Sequence, residues 1–125
     1  MVKELEKILL VEDNKPIAKA LSIKLKENGY DVVIANDGKE ALEKLRDDKF
    51  GLLLLDLIMP EMDGFAFLEE FNKKNIKAGV IVVSNIGTME SKERLKGMGV
   101  YDYLVKSDYK LEEIVKKIDA YFKKE

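Results

Sequence analysis

The run from Leu52 to Leu55 is four consecutive leucines, and a single carboxylate, Asp56, follows it directly. Such a run cannot alternate apolar and polar side chains, so it predicts a strand covered on both faces, as in a parallel sheet. Asp56 would then stand at the carboxyl end of the strand, which is the edge where open α/β sheets bind ligands. An acid here also fits a plain turn that ends the strand. The stretch by itself leaves both interpretations open.

The composition excludes several classes of function. The chain has 125 residues, of which 46% are hydrophobic, and this length fits one domain spanning residues 1–125. A formal net charge of −2 argues against nucleic acid as the main partner. Histidine and cysteine are both absent, so any metal should be a hard ion with oxygen ligands, such as Mg²⁺. The apolar runs are too short to cross a membrane and the charged start is no signal peptide, so we expect a cytoplasmic protein.

Short apolar segments alternate with segments of helical periodicity along the whole chain. Asp37, with Glu40 three residues later, is typical of a helix start, and we expect Asp108 to cap the last helix. Alternation of this kind predicts a doubly wound α/β domain, with a five-stranded parallel sheet and five helices on its two faces. The predicted strands are 7–11, 30–35, 52–55, 79–83 and 100–105, and the predicted helices are about 15–28, 38–47, 65–71, 88–99 and 111–122.

Polar side chains follow four of the predicted strands. Glu12 and Asp13 follow the first, Asp56 the third, Ser84 the fourth and Lys106 the fifth. The carboxyl ends of parallel strands share one edge, so three acids, a hydroxyl and an amine should converge there. The acids would repel one another unless cations offset them. Lys106 supplies one positive charge and a divalent ion would supply two more, so the pattern predicts a phosphate-handling site.

Over its whole length the chain resembles a response-regulator receiver domain of the chemotaxis type, and the segment 56–64, Asp-Leu-Ile-Met-Pro-Glu-Met-Asp-Gly, is highly characteristic of that family. The resemblance implies the flavodoxin-like strand order 2-1-3-4-5. It also implies that Asp56 accepts a phosphoryl group. Mg²⁺ would be held by Glu12, Asp13, Asp56 and the backbone carbonyl of Ile58.

Three further site residues are implied by the same resemblance. Ser84 matches the hydroxyl residue that hydrogen-bonds the phosphoryl group, and Lys106 matches the lysine that pairs with it. Tyr103 matches the aromatic residue that changes its orientation on phosphorylation, although an ordinary packing tyrosine would also fit this strand position.

The resemblance further implies a signalling switch that catalyses its own aspartyl phosphorylation and slow dephosphorylation. The chain has no histidine, so the donor should be a separate histidine kinase or histidine phosphotransfer protein. Phosphorylation would change the surface of the fourth helix, fifth strand and fifth helix, which would then regulate an unknown downstream protein. We expect a monomer or a phosphorylation-dependent dimer that binds neither nucleic acid nor membranes.

Four positions bear on how well such a site would work. Ser107 replaces the proline that usually follows the lysine, and Asn85 replaces the small residue that usually follows the hydroxyl. Ile58 and Ile86 flank the route of the attacking water in the family. Since aliphatic side chains offer that water no hydrogen bond, we expect slow loss of the phosphoryl group.

Other functions fit the sequence less well. A binding module that keeps the fold without efficient phosphorylation is the main alternative, and Asn85 and Ser107 are the residues that favour it. A phosphatase acting on an external substrate would need a second acid two residues after Asp56, where Ile58 stands. Flavin binding would need a phosphate-binding loop after the first strand, where Glu12 and Asp13 would repel a phosphate.

Overall fold

The computed structural model describes residues 5–59, 62–85 and 89–122. Five parallel strands form one sheet in the order β2-β1-β3-β4-β5, and helices cover both faces. The predicted doubly wound fold and flavodoxin-like strand order are therefore confirmed. Among the helices of these ranges, none is long and apolar enough to span a bilayer. The strands are β1 (Lys7–Val11), β2 (Asp31–Ala35), β3 (Leu52–Leu55), β4 (Gly79–Ser84) and β5 (Asp102–Val105), and the helices are α1 (Lys15–Glu27), α2 (Gly38–Asp47), α3 (Gly64–Lys73), α4 (Met89–Lys96) and α5 (Leu111–Tyr121).

The leucines of β3 divide between two hydrophobic layers. Leu53 and Leu55 pack with residues of α2, α3 and α4 on one face of the sheet. Leu52 and Leu54 pack with residues of α1 and α5 on the other. All four side chains are buried. The run therefore lacks an outward-facing polar position because neither face of this central strand meets water.

One predicted helix cap and one predicted helix end are wrong. Asp108 does not cap α5, because it lies in a 3₁₀ turn over Lys106–Asp108. The helix begins at the predicted residue, Leu111, and its cap is Lys110, whose backbone N–H donates a hydrogen bond of 2.9 Å to the Glu113 carboxylate. The fourth helix ends at Lys96 rather than at residue 99, because Gly99 adopts a φ of +77° that turns the chain out of the helix. Thr88, its predicted first residue, lies outside the described ranges.

The start of α3 is pressed against the backbone that follows β3. The Gly64 N–H donates a hydrogen bond of 2.9 Å to the Leu57 carbonyl, and the Asp63 side chain accepts one from the Ala66 N–H at 2.9 Å. A Cβ atom added at Gly64 would lie 2.6 Å from Leu57 Cα and 3.1 Å from the Asp56 carbonyl oxygen. Only glycine permits this approach, so it helps to fix the segment that carries Asp56.

We therefore expect Gly64→Ala to destabilise the fold by about 1–3 kcal/mol, because the clash is with backbone that cannot rotate away. Gly97→Ala is the matched control, since its Cβ would come no closer than 3.5 Å to the Arg94 carbonyl oxygen. That change should alter the free energy of unfolding by less than about 1 kcal/mol. Urea denaturation measures both values. Equal midpoints for the two variants would contradict the close approach.

Candidate functional site

The carboxyl edge of the sheet brings together residues from four strands. Val11 and Leu55 are partners in the β1–β3 register, and Ser84 and Val105 are partners in the β4–β5 register. The residues that follow these strand ends therefore lie side by side. Within the described residues, the polar or charged side chains that are buried are Glu12, Ser22, Asp56 and Ser84. Three of those four belong to the predicted site.

Both carboxylate oxygens of Asp56 are engaged. Oδ1 accepts hydrogen bonds from Ser84 Oγ at 2.9 Å and from the backbone N–H of Ile58 at 3.1 Å. Oδ2 accepts from Lys106 Nζ at 3.1 Å, and the same ammonium donates to Glu12 Oε1 at 2.6 Å. The three groups that donate to Asp56 come from the end of β4, from the residue after β5 and from the backbone that follows Asp56 itself. They hold the Asp56 carboxylate in one orientation at the edge of the sheet.

Asp13 completes a group of three acids. One carboxylate oxygen from each of Glu12, Asp13 and Asp56 lies within 4.8 Å of the others, and Asp13 is the exposed member. Three carboxylates and the Lys106 ammonium sum to −3 + 1 = −2 when all are ionised. A divalent cation would cancel this charge, and carboxylate oxygens are ligands that Mg²⁺ prefers. The residues present therefore fit a magnesium ion. The Ile58 carbonyl as a further ligand stays a prediction.

The pKa values of Glu12 and Lys106 reflect their burial and their contacts with each other and with Asp56. Burial, opposed by the hydrogen bond from Lys106 but supported by the charge of Asp56, raises the pKa of Glu12 above its ordinary value. Burial alone would lower the pKa of Lys106, but its hydrogen bond to Glu12 and the charges of Asp56 and Glu12 outweigh that effect and raise it. The two carboxylates therefore favour the charged form of Lys106, while burial favours the neutral form of Glu12.

Tyr103 lies on β5 and packs against the core on the α4 side of the sheet. Its hydroxyl is buried and has no hydrogen-bond partner within the described residues, and burial raises the pKa of this phenol. Lys92 of α4 places its ammonium 5.7 Å from the centre of the Tyr103 ring. The side chain therefore lies between β5 and α4, where a movement of either element would affect it.

The structure also shows a contact that the sequence did not predict. The Asn85 side-chain oxygen accepts a hydrogen bond of 3.0 Å from the backbone N–H of Ser107. The sequence did contain a hint of this contact, because Asn85 and Ser107 are both unusual for the resembled family and each directly follows a site residue. Ile58 is 56% exposed beside Asp56, whereas Ile86 lies outside the described ranges. None of the peptide bonds described is cis.

Comparisons with known proteins agree with this geometry. A family model for the response regulator receiver domain matches residues 8–119. Response regulator RR06 of Streptococcus pneumoniae is 36% identical over 90% of this chain, and the cell cycle response regulator CtrA of Brucella ovis is 29% identical over 91%. The matched regions cover 51% and 49% of those two proteins, so the chain spans about half the length of the curated relatives it matches.

Solved structures give the same result. The receiver domain of the Francisella response regulator 1452 superimposes with a TM-score of 0.87 at 33% identity, covering 94% of this chain and 97% of that one. The response regulator TrrA of Thermotoga maritima, solved in complex with Mg²⁺ and BeF, gives a TM-score of 0.80 at 29% identity, with 93% of this chain and 98% of that one covered. On the family model, the sequence relatives and the fold together, this chain belongs to the response regulator receiver domain family.

Proposed function

We propose that this chain is a phosphorylation-controlled signalling switch in which Asp56 accepts the phosphoryl group in the presence of Mg²⁺. The observation that supports this most directly is that the Asp56 carboxylate accepts hydrogen bonds from both Ser84 and Lys106. Receiver domains act as phosphorylation-based switches and bind Mg²⁺ at an acidic pocket. The acidic group of this chain fits that role, since its charge and its donor atoms suit a divalent ion.

In the proposed reaction a carboxylate oxygen of Asp56 attacks phosphorus in line with the leaving group. The new O–P bond forms as the bond to the leaving group breaks, and that group departs with the electron pair. Glu12, Asp13 and Asp56 would hold Mg²⁺, with the Ile58 carbonyl as a further ligand, and the ion would supply positive charge to the equatorial oxygens. Lys106 and Ser84 already touch the Asp56 carboxylate, so phosphoryl oxygens bound there would lie within their reach.

A separate protein must supply the phosphoryl group by this proposal. The chain contains no histidine, so it cannot form the phosphohistidine from which receiver domains are typically phosphorylated. The proposed donor is therefore a cytoplasmic histidine kinase or histidine phosphotransfer protein. A downstream protein that reads the phosphorylated form is the proposed target, with phosphorylation-dependent dimerisation as an alternative output.

Intact-mass analysis tests the phosphorylation site. After incubation with Mg²⁺ and acetyl phosphate, the wild-type chain should gain one phosphoryl group, and Asp56→Asn should gain none. Asp47→Asn removes the same charge from the exposed end of α2 and should label like wild type. Removing Mg²⁺ with a chelator should abolish labelling of every variant.

No adduct on the wild-type chain with any small phosphodonor or kinase would overturn the proposal. It would leave the alternative of a module that binds its partner constitutively. An adduct that persists in Asp56→Asn would place the phosphoryl group on another residue.

The phosphorylated form should also be long-lived. Ile58 is 56% exposed beside the carboxylate, and its side chain offers no hydrogen bond to a water that attacks the phosphoryl group. Ile58→Asn should therefore shorten the half-life about two- to tenfold, the effect of one added hydrogen bond. Release of inorganic phosphate measures the half-life. Ile23→Asn, at a 48% exposed position on α1, is the matched control and should leave it unchanged. Equal half-lives for the Ile58→Asn variant and wild type would contradict this account.

The proposed output surface is formed by α4, β5 and α5, with Tyr103 as its switch residue. Phosphorylation would draw Ser84 and Lys106 from the carboxylate toward the phosphoryl oxygens, and these residues terminate β4 and follow β5. The Tyr103 hydroxyl has no partner within the described residues, so a rearrangement that provides one would be favoured. Only such a difference in contacts between the two forms shifts their populations.

NMR of tyrosine-labelled protein tests this switch. Adding Mg²⁺ and beryllium fluoride, which mimics the phosphoryl group, should shift the ring signals of Tyr103. Tyr30, which is buried and donates a hydrogen bond to Asp119, should not respond. Asp56→Asn should abolish the change. Unaltered Tyr103 signals in a protein that binds beryllium fluoride would exclude Tyr103 as the switch.

A further inference from the structure

We propose that Asn85 is a positioning residue for Lys106, which acts by tying the end of β4 to the turn that follows β5. The inference rests on the proposed function, because Lys106 matters only if Asp56 accepts a phosphoryl group. It assigns a role to two residues that otherwise appear only as departures from the usual pattern of the family.

The contact joins two loops at the carboxyl edge. Ser84 and Val105 are the last partners of the β4–β5 register, so Asn85 and Lys106 lie directly beyond that pair. The Asn85 oxygen accepts the Ser107 N–H at 3.0 Å. Ser107 is the middle residue of the 3₁₀ turn Lys106–Asp108. Val105, the residue before this turn, makes no side-chain capping hydrogen bond to it. The first N–H groups of a helical turn have no partner within the turn, so Asn85 supplies the acceptor from the neighbouring loop.

This hydrogen bond fixes the backbone on the far side of Lys106. Val105 anchors the near side, since it pairs with Ser84 in the sheet. Between these two anchors, the long Lys106 side chain must place one ammonium on both Glu12 and Asp56. A lysine has many rotamers to lose when it is held in one position. A fixed backbone at Lys106 limits the positions that its ammonium can reach, and so keeps Nζ near the Asp56 carboxylate.

The two unusual residues depend on each other. A proline at position 107 would have no N–H to donate, and the Asn85 oxygen would then lose its partner. A small residue at position 85 would leave the Ser107 N–H to solvent. Asn85 and Ser107 therefore form one device, in which a hydrogen bond between loops holds the segment after the lysine.

The same bond couples the two residues that would contact the phosphoryl group. Asn85 directly follows Ser84, and Ser107 directly follows Lys106. When Ser84 moves toward a phosphoryl oxygen, Asn85 moves with it. Through its hydrogen bond to the Ser107 N–H, Asn85 then also shifts the backbone next to Lys106. Loss of the bond should therefore slow phosphoryl uptake while leaving the acidic group unaffected.

A double-mutant cycle on Asn85→Ala and Ser107→Pro tests this role. Proline at 107 removes the donor, and because it also disfavours helical backbone at the preceding residue, Lys106, the Asn85→Ala variant is the one that isolates the lost contact. Each single change should lower the rate of labelling by acetyl phosphate about two- to tenfold, the range for one lost hydrogen bond. The double variant should be no slower than the slower single variant, because both changes remove the same contact. Hydrogen exchange at the Ser107 amide should be faster in Asn85→Ala than in wild type.

Controls separate positioning from general damage. Mg²⁺ affinity should stay at the wild-type value in every variant, because the acidic group does not touch Asn85. Asn28→Ala, which removes another exposed asparagine hydrogen bond, to the Lys24 carbonyl at 2.8 Å, should label at the wild-type rate. Wild-type labelling rates in Asn85→Ala, or fully additive losses in the double variant, would overturn this inference alone. Failure of the wild-type chain to label at all would overturn the proposed function and this inference with it.

Discussion

Lys106 reaches across the carboxyl edge of the sheet and donates hydrogen bonds to two buried carboxylates, Glu12 at 2.6 Å and Asp56 at 3.1 Å. A buried charge without a partner costs several kcal/mol, so neither acid would be tolerated here alone. One ammonium cannot neutralise both of these acids, and Asp13 adds a third negative charge. The side chains of the site therefore carry a net negative charge that they cannot balance among themselves. This net negative charge favours the binding of a cation at the edge of the sheet.

The fold keeps these like charges close together because the backbone of its central strand, β3, is held in place on both faces. The leucines of β3 are buried on both faces, and Gly64 packs its backbone against Leu57 directly after Asp56. The backbone N–H of Asp56 continues the ladder by donating to the Val11 carbonyl at 3.1 Å. Asp56 is thus fixed from the strand before it, the neighbouring strand and the helix after it. A site built on such rigid elements keeps its geometry better than one carried by loops.

The sequence predicted the strands and the grouping of the acids well, since both follow from short-range patterns. β1 and β3 begin and end at the predicted residues, because a buried strand and a polar strand end are local signals. The strand order came from the family resemblance, as periodicity carries no information on neighbours. The Asn85–Ser107 hydrogen bond was missed because it depends on how the turn after β5 meets the end of β4 in space, and no local pattern records that distance. The cap of α5 was misplaced for a different reason, since Asp108 lies close enough in sequence to suit a cap but belongs to a separate 3₁₀ turn.

The contacts on the two sides of α4 bear on how the proposed switch would act. Arg94 of α4 stacks over the Phe65 ring at 4.0 Å, and Asn72 of α3 donates to the Met98 carbonyl at 3.0 Å, so contacts with α3 hold the outer side of α4. On the inner side, Tyr103 buries a hydroxyl without a partner in the described residues. An unsatisfied buried hydroxyl costs about 1–3 kcal/mol, which is also the typical range of coupling free energies between sites. Under the proposed switch, a partner gained by the Tyr103 hydroxyl in the phosphorylated form would contribute free energy of this order toward a second arrangement of α4 and β5.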